Sequence, residues 1–468
     1  MKNAMRKALI IFILVFAFSL GLGAFAVYDA AQPRDEVLVS ENLRYGEASA
    51  AEGLNLTMHT NFDNHLFWDI SYIPGQPEKT ENECRVSVKK DYGDYEYEPI
   101  GMNLMSDVEG WYFDDFADRD PTELSGLSLA YYELWLDTPN GGEREKQIYL
   151  KDYLDYYPVG GEVDVDGLTI PFYMDWPSIE DYSYAVHRQM NDYFKIPVME
   201  DEVRYISLRK DEQGNLRGRG SGTGDKDTYN IWSHSVVLSD AVYFTINNRS
   251  NEGKIVDTSL IPGGYGIYRL PYTVENGVCE IQFEELSTPK SIDEEFNIIY
   301  MFTDEPKEKI ILIGLLNTEL RMLVIDAATM ETLQDIEIAG DSEGCWQYNS
   351  GGDFIALGLD DGRLALVEKR ESGEYLLRFV IEDEAHGKLY NRYEAQAWAW
   401  DGEKLAVSGY KSLDDIDERF VADFYCAVYD ETGLLCFTDC DSSLFVNKDA
   451  QWNCVRGNDV NSMELKWN

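Results

Sequence analysis

A β-rich unit that returns four times between Ser235 and Cys440, Gly and Asp turns at its joints, and a scarcity of helical segments predict an all-β chain built from repeated antiparallel sheets. The second strand of each unit is the clearest element. It reads Ala241-Val-Tyr-Phe-Thr-Ile246, Lys309-Ile-Ile-Leu-Ile-Gly314, Asp353-Phe-Ile-Ala-Leu-Gly358 and Glu403-Lys-Leu-Ala-Val-Ser-Gly409.

The turns fall where a four-stranded meander needs them. Gly351-Gly352-Asp353 and Asp401-Gly402-Glu403 precede second strands, because a tight hairpin needs positive φ at residues that Gly tolerates. Asp360-Asp361-Gly362 joins the next pair. Asp326 and Asp430 each end a strand where a carboxylate can bond the following amides, and final strands follow at Thr332–Ile338, Tyr375–Ile381 and Leu434–Thr438. The second strands start 68, 44 and 50 residues apart, and the last two intervals approach the about 40–50 residues of one propeller blade. The fold class expected is therefore a β-propeller.

Trp400-Asp-Gly-Glu-Lys-Leu-Ala-Val-Ser-Gly409, followed by Val428-Tyr-Asp-Glu-Thr-Gly433, resembles the repeat of WD40-like and quinoprotein-like β-propellers, and Gly352 to Glu368 is similar. The resemblance covers about Ser235 to Cys440 and implies a membrane-anchored or secreted bacterial propeller; it implies no activity. Two family marks depart from the pattern. No Gly-His opens a unit, and Asp326-Ala-Ala-Thr329 is followed by Met330 rather than the Gly of quinone-enzyme repeats.

The amino half offers strands at Leu54–Thr60, His65–Ile73, Arg85–Lys89, Ser128–Leu136, Gln147–Leu150 and Val203–Arg209, with Glu180–Tyr193 as the best helix. If these supply three blades the ring has seven, within a range of six to eight. The alternative is a β-sandwich ahead of a partial propeller. Residues 54–445 form the propeller in this reading, with the clearest blades at 235–440, and 446–468 are a carboxy-terminal extension that closes the ring.

Lys2, Arg6 and Lys7 precede Ala8 to Tyr28, a run without charge that reaches about 30 Å as a helix, enough for a bilayer core. Residues 1–28 are thus expected to be one N-terminal hydrophobic helix, with a tether at 29–53. The positive flank leaves the amino end in the cytoplasm and the rest outside. Cleavage after Ala26, at Ala24-Phe25-Ala26, competes with retention as an anchor and would release a secreted form.

With 86 acidic and 40 basic residues the net charge is −46. That sign repels phosphate backbones and anionic headgroups, which excludes nucleic acid and leaves membrane contact to the N-terminal segment alone. It also keeps a Tyr-rich β protein soluble. Seven cysteines without a C-x-x-C make no disulfide framework; most suit small core positions.

Chemical motifs are weak. Gly218-Arg-Gly-Ser-Gly-Thr-Gly224 lacks the Lys and helix of a phosphate loop and reads as a flexible hairpin or loop. Asp164-Val-Asp166-Gly167 places Tyr173 where a calcium loop needs Glu, so it reads as a turn; Asp414-Asp415-Ile-Asp417-Glu418 is a solvated run with a weak calcium reading. His59, His65, His187, His234 and His386 have no ligand spacing, and no G-x-S-x-G occurs. No catalytic, cofactor or metal residue is therefore assigned. Tyr and Asp interleave at Asp91–Tyr97, Lys151–Tyr157 and Asp181–Tyr184, which singles out Tyr95, Tyr97, Tyr156 and Tyr157 as ligand-binding candidates, since exposed rings beside acceptors suit sugars or peptides. The expected function is a non-catalytic scaffold for a protein or glycan at a propeller face. The alternatives are a carboxylate-dependent enzyme on extracellular polymers and a calcium-dependent structural module.

Overall fold

The computed structural model describes residues 16, 18–22, 37–62, 66–87, 100–106, 126–165, 167–172, 181–224, 227–275, 278–381, 395–410, 420–421, 423–442, 445–446 and 462–468. It is all-β and of propeller type, made of small antiparallel sheets. The chain divides into two compact units, one of residues 1–96 with 346–468 and one of residues 97–345.

The first unit opens with β1 (Val39–Gly46), β2 (Leu54–Phe62), β3 (Leu66–Tyr72) and β4 (Glu81–Val86). The second unit holds β5 (Gly101–Ser106), helix α1 (Gly126–Asp137), β6 (Glu143–Tyr149), β7 (Val159–Val165), β8 (Leu168–Phe172), helix α2 (Asp181–Tyr193), β9 (Val203–Lys210) and β10 (Leu216–Thr223). These make two three-stranded sheets, β5-β7-β8 and β10-β9-β6. Next come β11 (Ser233–Val237), β12 (Ala241–Ile246) and β13 (Gly266–Glu275), with β14 (Val278–Ile281) and β15 (Ser287–Ser291) both paired to β13. A four-stranded meander ends the unit: β16 (Phe296–Thr303), β17 (Lys309–Leu316), β18 (Glu319–Asp326) and β19 (Thr332–Ala339).

Back in the first unit, β20 (Cys345–Gly351), β21 (Phe354–Leu359), β22 (Leu364–Lys369) and β23 (Tyr375–Ile381) form another meander. The following sheet runs β24 (Ala397–Trp400), β25 (Leu405–Tyr410), β27 (Phe424–Asp430) and β28 (Gly433–Ser442), with a short pair of β26 (Phe420–Val421) and β29 (Phe445–Val446) beside it. Finally β30 (Ser462–Trp467) joins β2, giving the order β30-β2-β3-β4.

The four repeated segments lie in β12, β17, β21 and β25, each second in its sheet. Their side chains are almost wholly buried because both faces of a second strand are covered: β12 and β21 are buried at every position. The strand-end carboxylates act as read. Asp326 Oδ1 accepts from the Ala328 and Thr329 amides at 3.1 and 2.7 Å, and Asp430 Oδ1 accepts from the Thr432 amide at 2.8 Å.

Three expectations need correction. Ser128–Leu136 is not a strand but lies in α1, because Leu127, Ala130, Tyr131 and Leu134 are the buried set and their spacing is helical. Residues 39–46 are not tether but β1, which pairs along β28 from Val39↔Ser442 to Gly46↔Cys436. Gly218–Gly224 is the hairpin of the two readings and not a flexible loop: its residues to Thr223 belong to β10, in register with β9 from Gly218↔Arg209 to Thr223↔Arg204. The expected N-terminal span, Ala8–Tyr28, falls largely outside the described residues, of which 16 and 18–22 are helical. Among the described residues no helix is long and apolar enough to cross a membrane.

The carboxy-terminal strand is held by packing as well as pairing. Met463 and Leu465 are buried in the cluster that contains Leu54, Leu56 and Trp68, and Trp467 Nε1 donates to Ala399 O at 3.3 Å. Leu465→Ala is expected to cost about 2–4 kcal/mol in urea unfolding, as buried leucines do. A loss below about 1 kcal/mol would show that β30 is not part of the folded sheet.

Candidate functional site

The strongest site lies in the second unit, where the first strands of three sheets meet. β5 is hydrogen-bonded to β7 along one edge. Along its other edge the amides and carbonyls face β11, whose Ser233 and Ser235 take them. Ser235 Oγ accepts from the Met102 amide at 3.0 Å and donates to Ile100 O at 2.8 Å. Ser233 Oγ accepts from the Leu104 amide at 2.8 Å and donates to Met102 O at 3.0 Å. Ser106 Oγ in turn accepts from the Ile231 amide at 2.6 Å. Each hydroxyl thus stands in for a missing strand, since one O–H both donates and accepts. Gly101 permits the approach: its φ is +79°, and a Cβ there would lie 2.6 Å from Ser235 Oγ.

A period of two sends Ser233 and Ser235 to one face of β11 and Trp232 and His234 to the other. Trp232 is fixed through its backbone. Its amide donates to Asn247 Oδ1 at 2.9 Å, and its carbonyl accepts from the Asn247 amide at 3.1 Å. Asn247 Nδ2 donates to Asn230 O at 2.9 Å, while buried Tyr229 donates its hydroxyl to Asn247 O at 2.8 Å. Trp232 also makes a β-bridge with Met105. Despite this anchorage the residue is 41% exposed.

Behind it His234 stands edge-on, ring centroids 4.8 Å apart at 85°, with Tyr300 5.8 Å further on. Burial lowers the His234 pKa from 6.5 to about 4 against the opposing pull of a hydrogen bond to the Ile299 backbone, so the ring is neutral at neutral pH. Its Nε2 is buried and has no hydrogen-bond partner among the described residues.

The residues that follow Asn247 are tied to acidic neighbours. Asn248 Nδ2 donates to Glu294 O at 2.7 Å, and Arg249 Nη2 donates to Glu295 O at 2.9 Å. Lys254 lies 3.2 Å from buried Asp227 and 3.8 Å from Asp201 and Glu252. Burial alone would raise the Asp227 carboxyl, but the Ser250 hydroxyl, the Glu252 amide and Lys254 together hold it below the ordinary value.

Of the sequence candidates, Tyr95 and Tyr97 lie outside the described residues. Tyr156 is exposed and bridges Pro197. Tyr157 is 1% exposed and cannot offer its ring to a ligand. Its hydroxyl donates to Glu202 and accepts from the Met199 amide, and its ring meets Tyr229 edge-on at 5.0 Å. Burial first, then the Glu202 carboxylate, pushes that phenol far above its usual range. Glu202 is itself wholly buried and paired with Arg204 at 2.7 Å. Tyr157 is therefore structural, standing behind Tyr229 and the Asn247 clamp.

The other motifs stay apart from this site. His59 pairs with Asp69, and His187 sits buried beside Asn191, its pKa lowered to about 4 by burial. Asp164 accepts from Thr169 Oγ1 at 3.2 Å, while Asp166, His65, His386, Cys454 and the Asp414–Glu418 run lie outside the described residues. Six cysteines are described, four of them buried. Among the described residues no group of three or more His, Cys, Asp or Glu is arranged to hold a metal ion. Trp232 was missed because no motif contains it; the available signal was the alternation Trp232-Ser233-His234-Ser235.

The sequence matches no family model and no curated protein. Solved structures similar to it include a putative 6-phosphogluconolactonase from Bacteroides fragilis, at 8% identity over 90% of this chain and 99% of that one, with a TM-score of 0.32. The β-propeller domain of Cps50 (Swd1) from Myceliophteria thermophila is similar at 11% identity over 60% and 82% of the two chains, TM-score 0.26. An S. cerevisiae complex of Dbp5 with Nup159 and Gle1 is similar at 9% identity, TM-score 0.24; this alignment takes in 52% of the present chain and only 57% of the other.

Ser233→Ala and Ser235→Ala are each expected to destabilise the protein by about 1–3 kcal/mol, because each strands an amide and a carbonyl of β5. A denaturant midpoint unchanged in the double variant would contradict the hydroxyl closure. For His234, whose folded value is depressed, the unfolded chain binds the extra proton, so its share of stability is present above about 6.5 and drains as pH falls toward 4. Its ring resonances should titrate near pH 4 by NMR; a midpoint at 6.5 would place the ring in water.

Proposed function

We propose that the chain is a non-catalytic docking module that grips a protein or glycan through Trp232 and is displayed outside the cytoplasm. One observation carries the reading: a 41%-exposed tryptophan rests on a backbone whose amide and carbonyl are both bonded to the same buried asparagine. An aromatic residue whose backbone is fixed before contact loses little main-chain freedom on binding, and tryptophan is among the residues that contribute most of the affinity at interfaces. The propeller-type sheets support it by holding β5, β11 and β16 rigidly while the loops between strands stay available. Display outside the cytoplasm rests on Lys2, Arg6 and Lys7 ahead of the apolar run to Tyr28.

The test uses glycan arrays and immobilised envelope proteins, with wild type and Trp232→Ala compared side by side. Retention should fall at least tenfold in the variant, or about 1.4 kcal/mol, while thermal melting stays close to wild type. Equal retention by both forms would remove Trp232 from the function.

A further inference from the structure

We infer that the first unit is held close against a lipid bilayer, with the Val37 end of β1 nearest the lipid and almost no free chain between anchor and fold. This rests on the display outside the cytoplasm stated above and adds where the folded part sits.

The apolar segment asks for lipid on two grounds. Ala8 to Tyr28 carries no charge and is long enough to cross a bilayer core. Within it Phe16, Phe18, Leu20 and Leu22 lie on helix and are 53–68% exposed. Residues two apart on a helix stand about 200° apart, so these side chains alternate between opposite sides. Packing one face on the protein could not hide them all, and the protein leaves more than half of each open. A helix that is apolar on every side is covered by a core or by a membrane.

Strand β1 then brings the chain into the fold at once. Val37 is buried, and its amide donates to Asn82 Oδ1 at 3.1 Å. Pairing with β28 starts at Val39, and Glu41 accepts from the Tyr72 hydroxyl and from the Gly75 amide, the latter at 2.7 Å. Arg44 Nε donates to the buried Asp439 carboxylate at 2.7 Å. Between Tyr28 and Val37 lie only residues 29–36, which bridge about 30 Å at full extension. Bulk charge sets the orientation. At −46 the folded part is repelled by anionic headgroups, so it stands away from the bilayer with its point of attachment nearest. From Leu38 to Tyr45, about 23 Å of strand, β1 therefore leads away from the lipid.

The experiment places the full chain in phosphatidylcholine–phosphatidylglycerol nanodiscs that carry a rhodamine-labelled lipid. A donor dye is attached at Leu38→Cys or at Tyr45→Cys, both exposed positions, and the labelling of the unsubstituted chain is subtracted. Energy transfer from position 38 should exceed that from position 45 by about twofold, given the length of strand between them. A Gly-Ser spacer of about twenty residues inserted between Glu36 and Val37 should lower transfer at position 38, because a longer coil lets the charged body move outward. Equal or greater transfer from position 45, or transfer at position 38 that ignores the spacer, overturns the inference and leaves the display reading in place. A chain that stays in solution and does not enter nanodiscs overturns both.

Discussion

A strand edge turned toward protein rather than water must have every amide and carbonyl answered, and on β5 the answer comes from two serine hydroxyls. That requirement fixes much else. The serines must be two residues apart so that both point to β5, which leaves Trp232 and His234 on the other face of β11. Gly101 must lack a Cβ, because one would fall against Ser235. A slip of one residue would bring an indole and an imidazole against the β5 backbone: the indole can donate but not accept, and the imidazole's donor and acceptor lie on different ring nitrogens, not on one atom as in a hydroxyl.

The hydrogen bonding that results extends to the backbone of Trp232. Behind Trp232 runs a chain of buried polar groups: Asn247, the Tyr229 hydroxyl, the Tyr157 ring and hydroxyl, then the Glu202–Arg204 pair. A buried carboxylate is tolerated only when neutralised and bonded. Glu202 has Arg204 on one oxygen and Tyr157 with the Tyr229 amide on the other. These groups hold one another in place, so the exposed indole sits at the end of a fixed structure rather than on a mobile loop.

How much of this was legible follows from the range of the interactions. Second strands such as Lys309–Gly314 were plain because both their faces are buried and the apolar run is continuous, and the Asp326 and Asp430 turns were plain because a side chain bonds amides two or three residues away. α1 misled because Leu127, Leu129, Leu134 and Leu136 alternate in part like a strand, while the buried positions repeat at helical spacing. β1 was hidden because its partner β28 lies at the opposite end of the chain, and the glycine run because pairing with β9 supplies order that its own composition does not. Tyr156 and Tyr157 looked alike in sequence and differ only in which way the backbone turns them. The site itself is assembled from residues near 102, 232, 247 and 294, each ordinary in its local context.

The account depends above all on the serine closure of β5, and amide hydrogen exchange reads it directly. The Met102 and Leu104 amides, bonded only to side-chain hydroxyls, should exchange as slowly as the Asn103 amide on the edge facing β7, because all are shut away from water. Exchange at Met102 and Leu104 at the rate of open loops would mean that the edge is not closed, and the platform built on β11 would lose its foundation.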